Sequence, residues 1–404
     1  METVTTEELD RLLAAMIQSV EGISDLLFVA GKPPQMEVHG RLKPFAPDPA
    51  ESALTSARIE GLAGAIINGN PRLLQDLAEH GSCDCSYSLK NFCRFRVNIY
   101  RQNGNYAMVL RQLQSLVPSL DSLHLPPVFR DVIREKNGLV FVTGGTGSGK
   151  TTTLAAMLNE INHTKPIHII TLEDPVEFVH PHHMATFNQR ELGTDFDSYS
   201  NGLRAALRQA PKVILVGEMR DRETVKIALS AAETGHLVLS TLHTIDAGQT
   251  INRILGMFEP DEQEQIRARL ADTLRWVISQ RLVPKIEPGR FALLEIMGSN
   301  LRTQETIRLG ESEGKSFYEI IEASQPFGWR TFDYSALEAY ESGTVSEETA
   351  LLYCTKRGPV TRGIDNIKKS RGECTTSIAS LRMKASQEFA QKNAAAVPAA
   401  LKLK

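Results

Sequence analysis

The sequence predicts an α/β nucleotide-binding fold: a mostly parallel sheet covered by helices on both faces, preceded by a smaller α/β unit. Three observations predict it. From Gly138 onward, four short runs are apolar at nearly every position: GLVFVT (138–143), IHIITL (167–172), KVILVG (212–217) and HLVLST (236–241). Amphipathic stretches separate them, which is the pattern of parallel strands buried on both faces by crossover helices. The first run leads directly into Gly144-Gly145-Thr146-Gly147-Ser148-Gly149-Lys150-Thr151, the full GxxxxGK[ST] spacing, with a helix-forming stretch from Thr152 to Leu158 behind it. Together these indicate a P-loop architecture of the RecA kind.

The elements follow in order. Residues 1–112 read as a small α/β domain. Leu9, Leu12, Leu13, Met16, Ile17 and Val20 lie at helical spacing between Glu7 and Val20. Strand-like runs cover 25–29, 36–38 and 92–110, the last interrupted at Asn103-Gly104. Residues 113–120 read as a linker containing Pro118, with Pro126-Pro127 just beyond. Residues 121–365 hold the nucleotide-binding unit, with helices expected from Pro260 to Gln280 and again from Phe317 to Thr355. From Asn366 onward eight Lys/Arg stand against two Glu, and the stretch from Asn393 to Ala400 has no apolar anchors. Residues 366–404 therefore read as a basic, disordered tail.

Composition narrows the class. With 42% hydrophobic and 23% charged residues the chain is ordinary for a globular protein, and its net charge of −3 gives no reason to expect a nucleic-acid partner. No apolar run approaches the roughly 20 residues that span a bilayer. The acidic, amphipathic start METVTTEELDRLL is unlike a signal peptide, so a cytoplasmic location is expected. Cys83, Cys85, Cys93, Cys354 and Cys374 contain no CxxC and read as reduced thiols without a metal.

Chemistry enters at the glycine-rich loop. Its glycines let the backbone wrap closely, so that N–H groups of Gly145, Thr146, Gly147, Ser148 and Gly149 point at phosphates, with Thr152 completing the set at the helix start. Lys150 supplies charge at the β- and γ-phosphates, and the Thr151 hydroxyl is expected to hold Mg²⁺; the ligands implied are ATP and Mg²⁺. Hydrolysis also needs carboxylates. Glu173-Asp174-Pro175-Val176-Glu177 follows one strand and Gly217-Glu218-Met219-Arg220-Asp221 another, at the carboxyl edge where α/β sheets bind ligands. Gly217 occupies the place of the usual strand-ending aspartate, which leaves Glu218 as the metal-side acid. His236 and His243 are an odd number of residues apart, so they sit at opposite ends of one strand and form no metal pair.

Four segments together resemble one family. GGTGSGKTTTLAAML, IITLEDPVEFVHP, VILVGEMRDRET and AAETGHLVLSTLHT look like the Walker A, Asp, Walker B and His boxes of the type II/type IV secretion ATPases, in particular the PilT-type pilus-retraction motors. The resemblance implies a PAS-like N-terminal domain, a RecA-like C-terminal domain and a homohexameric ring. The implied activity is ATP hydrolysis that drives type IV pilus retraction and twitching motility. It also implies an inner-membrane platform protein and other pilus motor ATPases as partners, with membrane contact only through them. By the same likeness Glu177 is the catalytic glutamate, Glu218 the Walker B glutamate, and His236 and His243 the His-box pair. Phe95-Arg96-Val97-Asn98 resembles the segment whose arginines reach a nucleotide bound next door, making Arg96 and Arg111, and after them Arg101, candidates to supply charge between subunits.

Within the family, extension and type II secretion motors carry a long N-terminal region and a four-cysteine zinc insertion. Here the P-loop begins at Gly144 and no cysteine falls between Cys93 and Cys354, which favours retraction. The family's AIRNLIRE-like motif is altered to Asn300-Leu301-Arg302-Thr303-Gln304-Glu305-Thr306-Ile307-Arg308, which keeps an accessory PilU-like motor or an extension motor as alternatives. A monomeric P-loop kinase would need an arginine-rich lid after the core, and none is evident.

Overall fold

The computed structural model describes residues 4–45, 53–90, 92–113, 116–373 and 375. Its first unit runs α1 (Thr6–Ser19), β1 (Ile23–Phe28), β2 (Gln35–Val38), β3 (Arg41–Pro44), α2 (Ser56–Ile67), α3 (Pro71–Glu79), β4 (Ser82–Leu89), β5 (Cys93–Gln102) and β6 (Asn105–Gln112). The strands form one antiparallel sheet in the order β3-β2-β1-β6-β5-β4. Thr5 and Glu8 cap α1 reciprocally, and the helical spacing buries Leu9, Leu13 and Met16 with Leu62 and Ile66 of α2. Strand periodicity sorts β5: Phe95, Val97 and Ile99 are buried, whereas Arg94, Arg96 and Asn98 lie on the other face. That outer face is turned toward the second unit.

The second unit runs α4 (Phe129–Val132), β7 (Gly138–Thr143), α5 (Lys150–Thr164), β8 (His168–Glu173), β9 (Thr186–Glu191), α6 (Tyr199–Ala206), β10 (Val213–Val216), α7 (Arg222–Glu233), β11 (Leu237–Leu242), α8 (Ala247–Leu255), α9 (Pro260–Thr273), β12 (Leu274–Pro284) and β13 (Arg290–Gly298). Helices α10 (Leu301–Leu309), α11 (Phe317–Ala323), α12 (Phe332–Glu341), α13 (Glu347–Tyr353) and α14 (Arg357–Ser370) complete it. The sheet order is β13-β12-β7-β11-β10-β8-β9, parallel except for the β12–β13 hairpin at one edge. Both faces are buried. Leu139 and Phe141 of β7 enter one core, Val140 and Val142 the other, which is why the run is apolar at successive positions. Each fully buried large apolar side chain contributes roughly 1.5–3 kcal/mol. Helices α12–α14 pack Phe332, Ala336, Val360 and Ile364 over Val283 and Leu293 of the hairpin.

Two sequence expectations are corrected. The helical reading of Pro260 to Gln280 fails after Thr273: from Leu274 the chain is β12, lying parallel to β7 and antiparallel to β13. Arg275, Gln280 and Arg281 break its apolar run, which hid the strand. The basic tail starts later than position 366, because α14 continues through Ser370; the alanine-rich segment lies outside the described residues. Cys83, Cys85, Cys93 and Cys354 are free thiols. Among the described residues no helix is long and apolar enough to cross a membrane.

Candidate active site

The phosphate-binding loop joins β7 to α5. Gly144, Gly147 and Gly149 have φ of 145°, 76° and 88°. A Cβ on Gly144 would also stand 2.5 Å from Gln280 O and from Ser148 Oγ, so only glycine fits there. Lys150 is folded back on the loop, donating to Gly144 O at 2.9 Å and Gly145 O at 3.1 Å. Burial lowers its pKa, while the charges of Glu218 and Glu177 oppose that effect. Gln280 of β12 props the loop from below, donating from Nε2 to Ser148 O at 3.0 Å. The next residue, Arg281, lies on the opposite side of the strand, donating to Tyr353 O at 2.6 Å and stacking 3.8 Å over Phe332.

A cavity of about 470 Å³ opens at this loop. Thr146, Gly147, Lys150 and Thr151 line one wall, Glu173, Glu177, Glu218 and His243 another, and Arg96 closes it from the first unit. Ser148 Oγ beside it is buried without a hydrogen-bond partner. An unfilled hydroxyl, a lysine resting on backbone carbonyls and the N-terminus of α5 fit a polyphosphate. Thr152 and Gly149 also line a separate cavity of about 760 Å³ bordered by Lys285, Arg290 and Phe291.

Glu218 pairs with Arg220 at 2.7 Å and lies 3.7 Å from His243 Nε2. Gly217 beside it is closely packed: a Cβ there would stand 3.0 Å from Tyr199 Oη and 3.1 Å from Leu172 O. The two histidines flank β11 as their spacing indicates, but only His243 faces the cavity. His236 is at the far end, its Nδ1 3.0 Å from Ala231 O and 3.3 Å from Thr234 Oγ1, so the structure does not bring it to the site.

The arginines separate too. Arg96 lines the cavity within this chain, on the outer face of β5, which the Arg94–Glu191 ion pair holds against the second unit. Arg111, its cross-strand neighbour, is bonded to Asp25 at 2.9 Å. Arg101 lies over the Tyr106 ring, 5.9 Å from its centre.

The sequence marked Glu173 as one of the strand-end carboxylates without giving it a role, and passed over His180. Burial raises the Glu173 pKa to about 7, against hydrogen bonds from Thr171 and Gln189. His180 stacks on Phe187 with ring centres 4.4 Å apart, and burial lowers its pKa to about 4, so it is neutral. For Glu173 the signal was available: it directly continues an apolar run, where a side chain is buried in register with its neighbours. The loop between these residues is clamped by β9. Glu191 Oε2 accepts Val176 N–H at 3.1 Å, Gln189 Oε1 accepts His180 N–H at 2.8 Å, and Gln189 Nε2 donates to Phe178 O at 2.7 Å. Glu177 sits between these clamps.

Comparison with known proteins identifies the family. The model of the type II/IV secretion system protein family matches residues 87–317. An OAR motif model also matches residues 372–387, nearly all outside the described residues. The type IV pilus retractation ATPase PilT of Pseudomonas aeruginosa is 41% identical over 330 residues, covering 82% of this chain and 94% of that protein. The type IV pilus ATPase PilU of the same organism is 37% identical, covering 86% and 88%. The twitching motility protein of Neisseria gonorrhoeae is 38% identical, covering 85% and 89%. The crystal structure of the pilus retraction motor PilT with bound ADP superposes with a TM-score of 0.78 at 39% identity, over 88% of this chain and 98% of that one.

Proposed function

This chain belongs to the type II/IV secretion ATPase family, and from that premise we propose that it is a ring-forming motor whose ATP hydrolysis drives type IV pilus retraction. The observation that carries the reading is the single cavity in which Lys150, Glu177, Glu218 and His243 of one unit meet Arg96 of the other. A site split between two units opens and closes as they move, so a chemical cycle there becomes displacement.

The roles follow from position. Lys150 leaves the Gly144 and Gly145 carbonyls for the β- and γ-phosphates, and the loop N–H groups with Ser148 Oγ bind the remaining oxygens. Thr151 and Glu218 are the residues that would hold Mg²⁺, which supplies charge neutralisation on the phosphates. Glu177 orients and deprotonates the attacking water. Buried Glu173 stands behind it as part of the scaffold, its pKa raised by burial to about 7, so that it carries less negative charge than an ordinary carboxylate near neutral pH. Arg96 brings positive charge to the γ-phosphate side, a contribution worth about 10³–10⁵ in other NTPases. The assembly proposed is a homohexamer on the cytoplasmic face of an inner-membrane pilus machine, bound to its platform protein.

The test is Glu177→Gln in the full chain. ATP binding should persist while phosphate release stops, and cells carrying the variant should extend pili that no longer shorten. Retained turnover would refute the assignment. A second reading, an accessory motor, is favoured by the nearly equal likeness to the PilU ATPase; pili that shorten normally without this chain, but weakly under load, would select it.

A further inference from the structure

Glu191, the last residue of edge strand β9, is buried where the two units touch, and three partners converge on its carboxylate. Arg94 of β5 forms an ion pair with Oε2, Ser86 Oγ of β4 donates to Oε1 at 2.6 Å, and Val176 N–H donates to Oε2 at 3.1 Å. Arg94 also donates to Ser86 Oγ at 2.7 Å, closing the network on the side of the first unit. Two consequences come from sequence spacing alone. Arg96 is two residues along β5 from Arg94, so both project from the same face and the position of one sets the other. Val176 immediately precedes Glu177, so its N–H fixes one end of the short loop that carries that carboxylate.

We propose that Glu191 is a positioning residue that docks the arginine of one unit and the catalytic glutamate of the other in a single step. The idea rests on the functional reading above, in which Glu177 and Arg96 act on ATP. When the units are together, the Glu191 carboxylate holds Arg94 and therefore aims Arg96 at the phosphates; the same carboxylate restrains Val176 and therefore Glu177. When the first unit swings away, Glu191 loses Arg94 and Ser86 together, and its grip on the Glu177 loop changes with them. Chemistry is thereby confined to the docked arrangement.

The experiment uses the full chain and compares Glu191→Gln, Arg94→Gln, the double variant and Glu177→Gln, reading ATP dissociation constant and kcat separately. Displacing two reacting groups by an ångström costs about 10–100-fold in rate, so kcat of each latch variant should fall by that factor. ATP affinity should stay within about twofold, because Lys150 and the P-loop are untouched. The double variant should be no slower than the slower single one, since both changes break the same link. Arg94→Lys keeps the charge but not the fork, and should fall between wild type and Arg94→Gln; it carries the test if Glu191→Gln does not fold. If Glu177→Gln is inactive while the latch variants turn over at the wild-type rate, the latch is wrong and the function stands. If kcat losses multiply in the double variant, the two residues act independently and the proposal fails. If Glu177→Gln itself turns over normally, the functional reading fails first.

Discussion

Replacing Glu173 by glutamine should stabilise the protein at alkaline pH and leave it unchanged at acid pH. The carboxylate is buried at the end of β8, with Thr171 Oγ1 donating to Oε1 at 2.6 Å and Gln189 Nε2 donating to the same atom at 3.1 Å. Burial raises its pKa from the ordinary 4.5 to about 7. Below about pH 4.5 folded and unfolded chains both hold this proton. Between there and pH 7 only the folded chain does, so stability falls as pH rises through the window, and the loss is complete above it. At about 1.4 kcal/mol per pH unit, that interval corresponds to about 3 kcal/mol. Glutamine mimics the protonated acid, keeping an oxygen for Thr171 and Gln189 and a neutral amide opposite. The stability difference between Glu173→Gln and wild type should therefore be near zero at pH 4 and about 3 kcal/mol at pH 8. For a unit of this size that is about 6–12 °C in unfolding temperature. Thermal unfolding without nucleotide across this pH range checks it. Glu295, also raised to about 7 by burial, contributes the same slope to both proteins and cancels in the comparison. A difference that does not change with pH would refute the reasoning, because it would mean that Glu173 ionises in the fold as easily as in water.

Two further pairs of substitutions probe packing near and far from the site. Gly217→Asp, which restores the usual strand-ending acid, should destabilise by about 1–2 kcal/mol and leave the Mg²⁺ dependence of turnover unchanged, since Tyr199 and Leu172 O occupy the space its Cβ needs. Adding Tyr199→Phe should recover part of that loss in a melting experiment. Asp333→Ala should cost about 3 kcal/mol or more, because it leaves the N–H groups of Thr355 and Lys356 and the hydroxyl of Tyr318 without their acceptor. Tyr318→Phe, which removes only one of these bonds, should cost about 1 kcal/mol by denaturant unfolding.

The parts of this fold visible in the sequence are those governed by local chemistry. The glycine pattern from Gly144 to Gly149, the apolar runs of β7, β8, β10 and β11, and the acids that follow them are each readable from neighbours along the chain. What stayed hidden depends on partners distant in sequence. Strands β12 and β13 carry Gln280, Arg281 and Glu295, whose polarity disguises a sheet strand; in the fold they reach the P-loop, Phe332 and the N–H of Ala247. His236 and His243 look alike in sequence, and only the direction of β11 separates the one at the cavity from the one behind it. Arg96 and Arg111 likewise differ by what faces them: the cavity in one case, Asp25 in the other. The burial of Glu191 joins residues about a hundred positions apart, beyond the reach of any periodicity.

The adjacency of Gln280 and Arg281 bears on where this chain can be cut or fused. One peptide unit separates the side chain under the phosphate loop from the side chain that grips Phe332 and Tyr353. The C-terminal helices are thus not an appendage that can be trimmed to obtain a smaller nucleotide-binding fragment. Ending the chain before Phe332 would strip Arg281 of both its supports, expose Val283 and Leu293, and loosen the strand on which the loop rests. A reporter joined beyond Gly372 leaves all of these contacts in place, and is the arrangement in which motion of the intact chain can be followed.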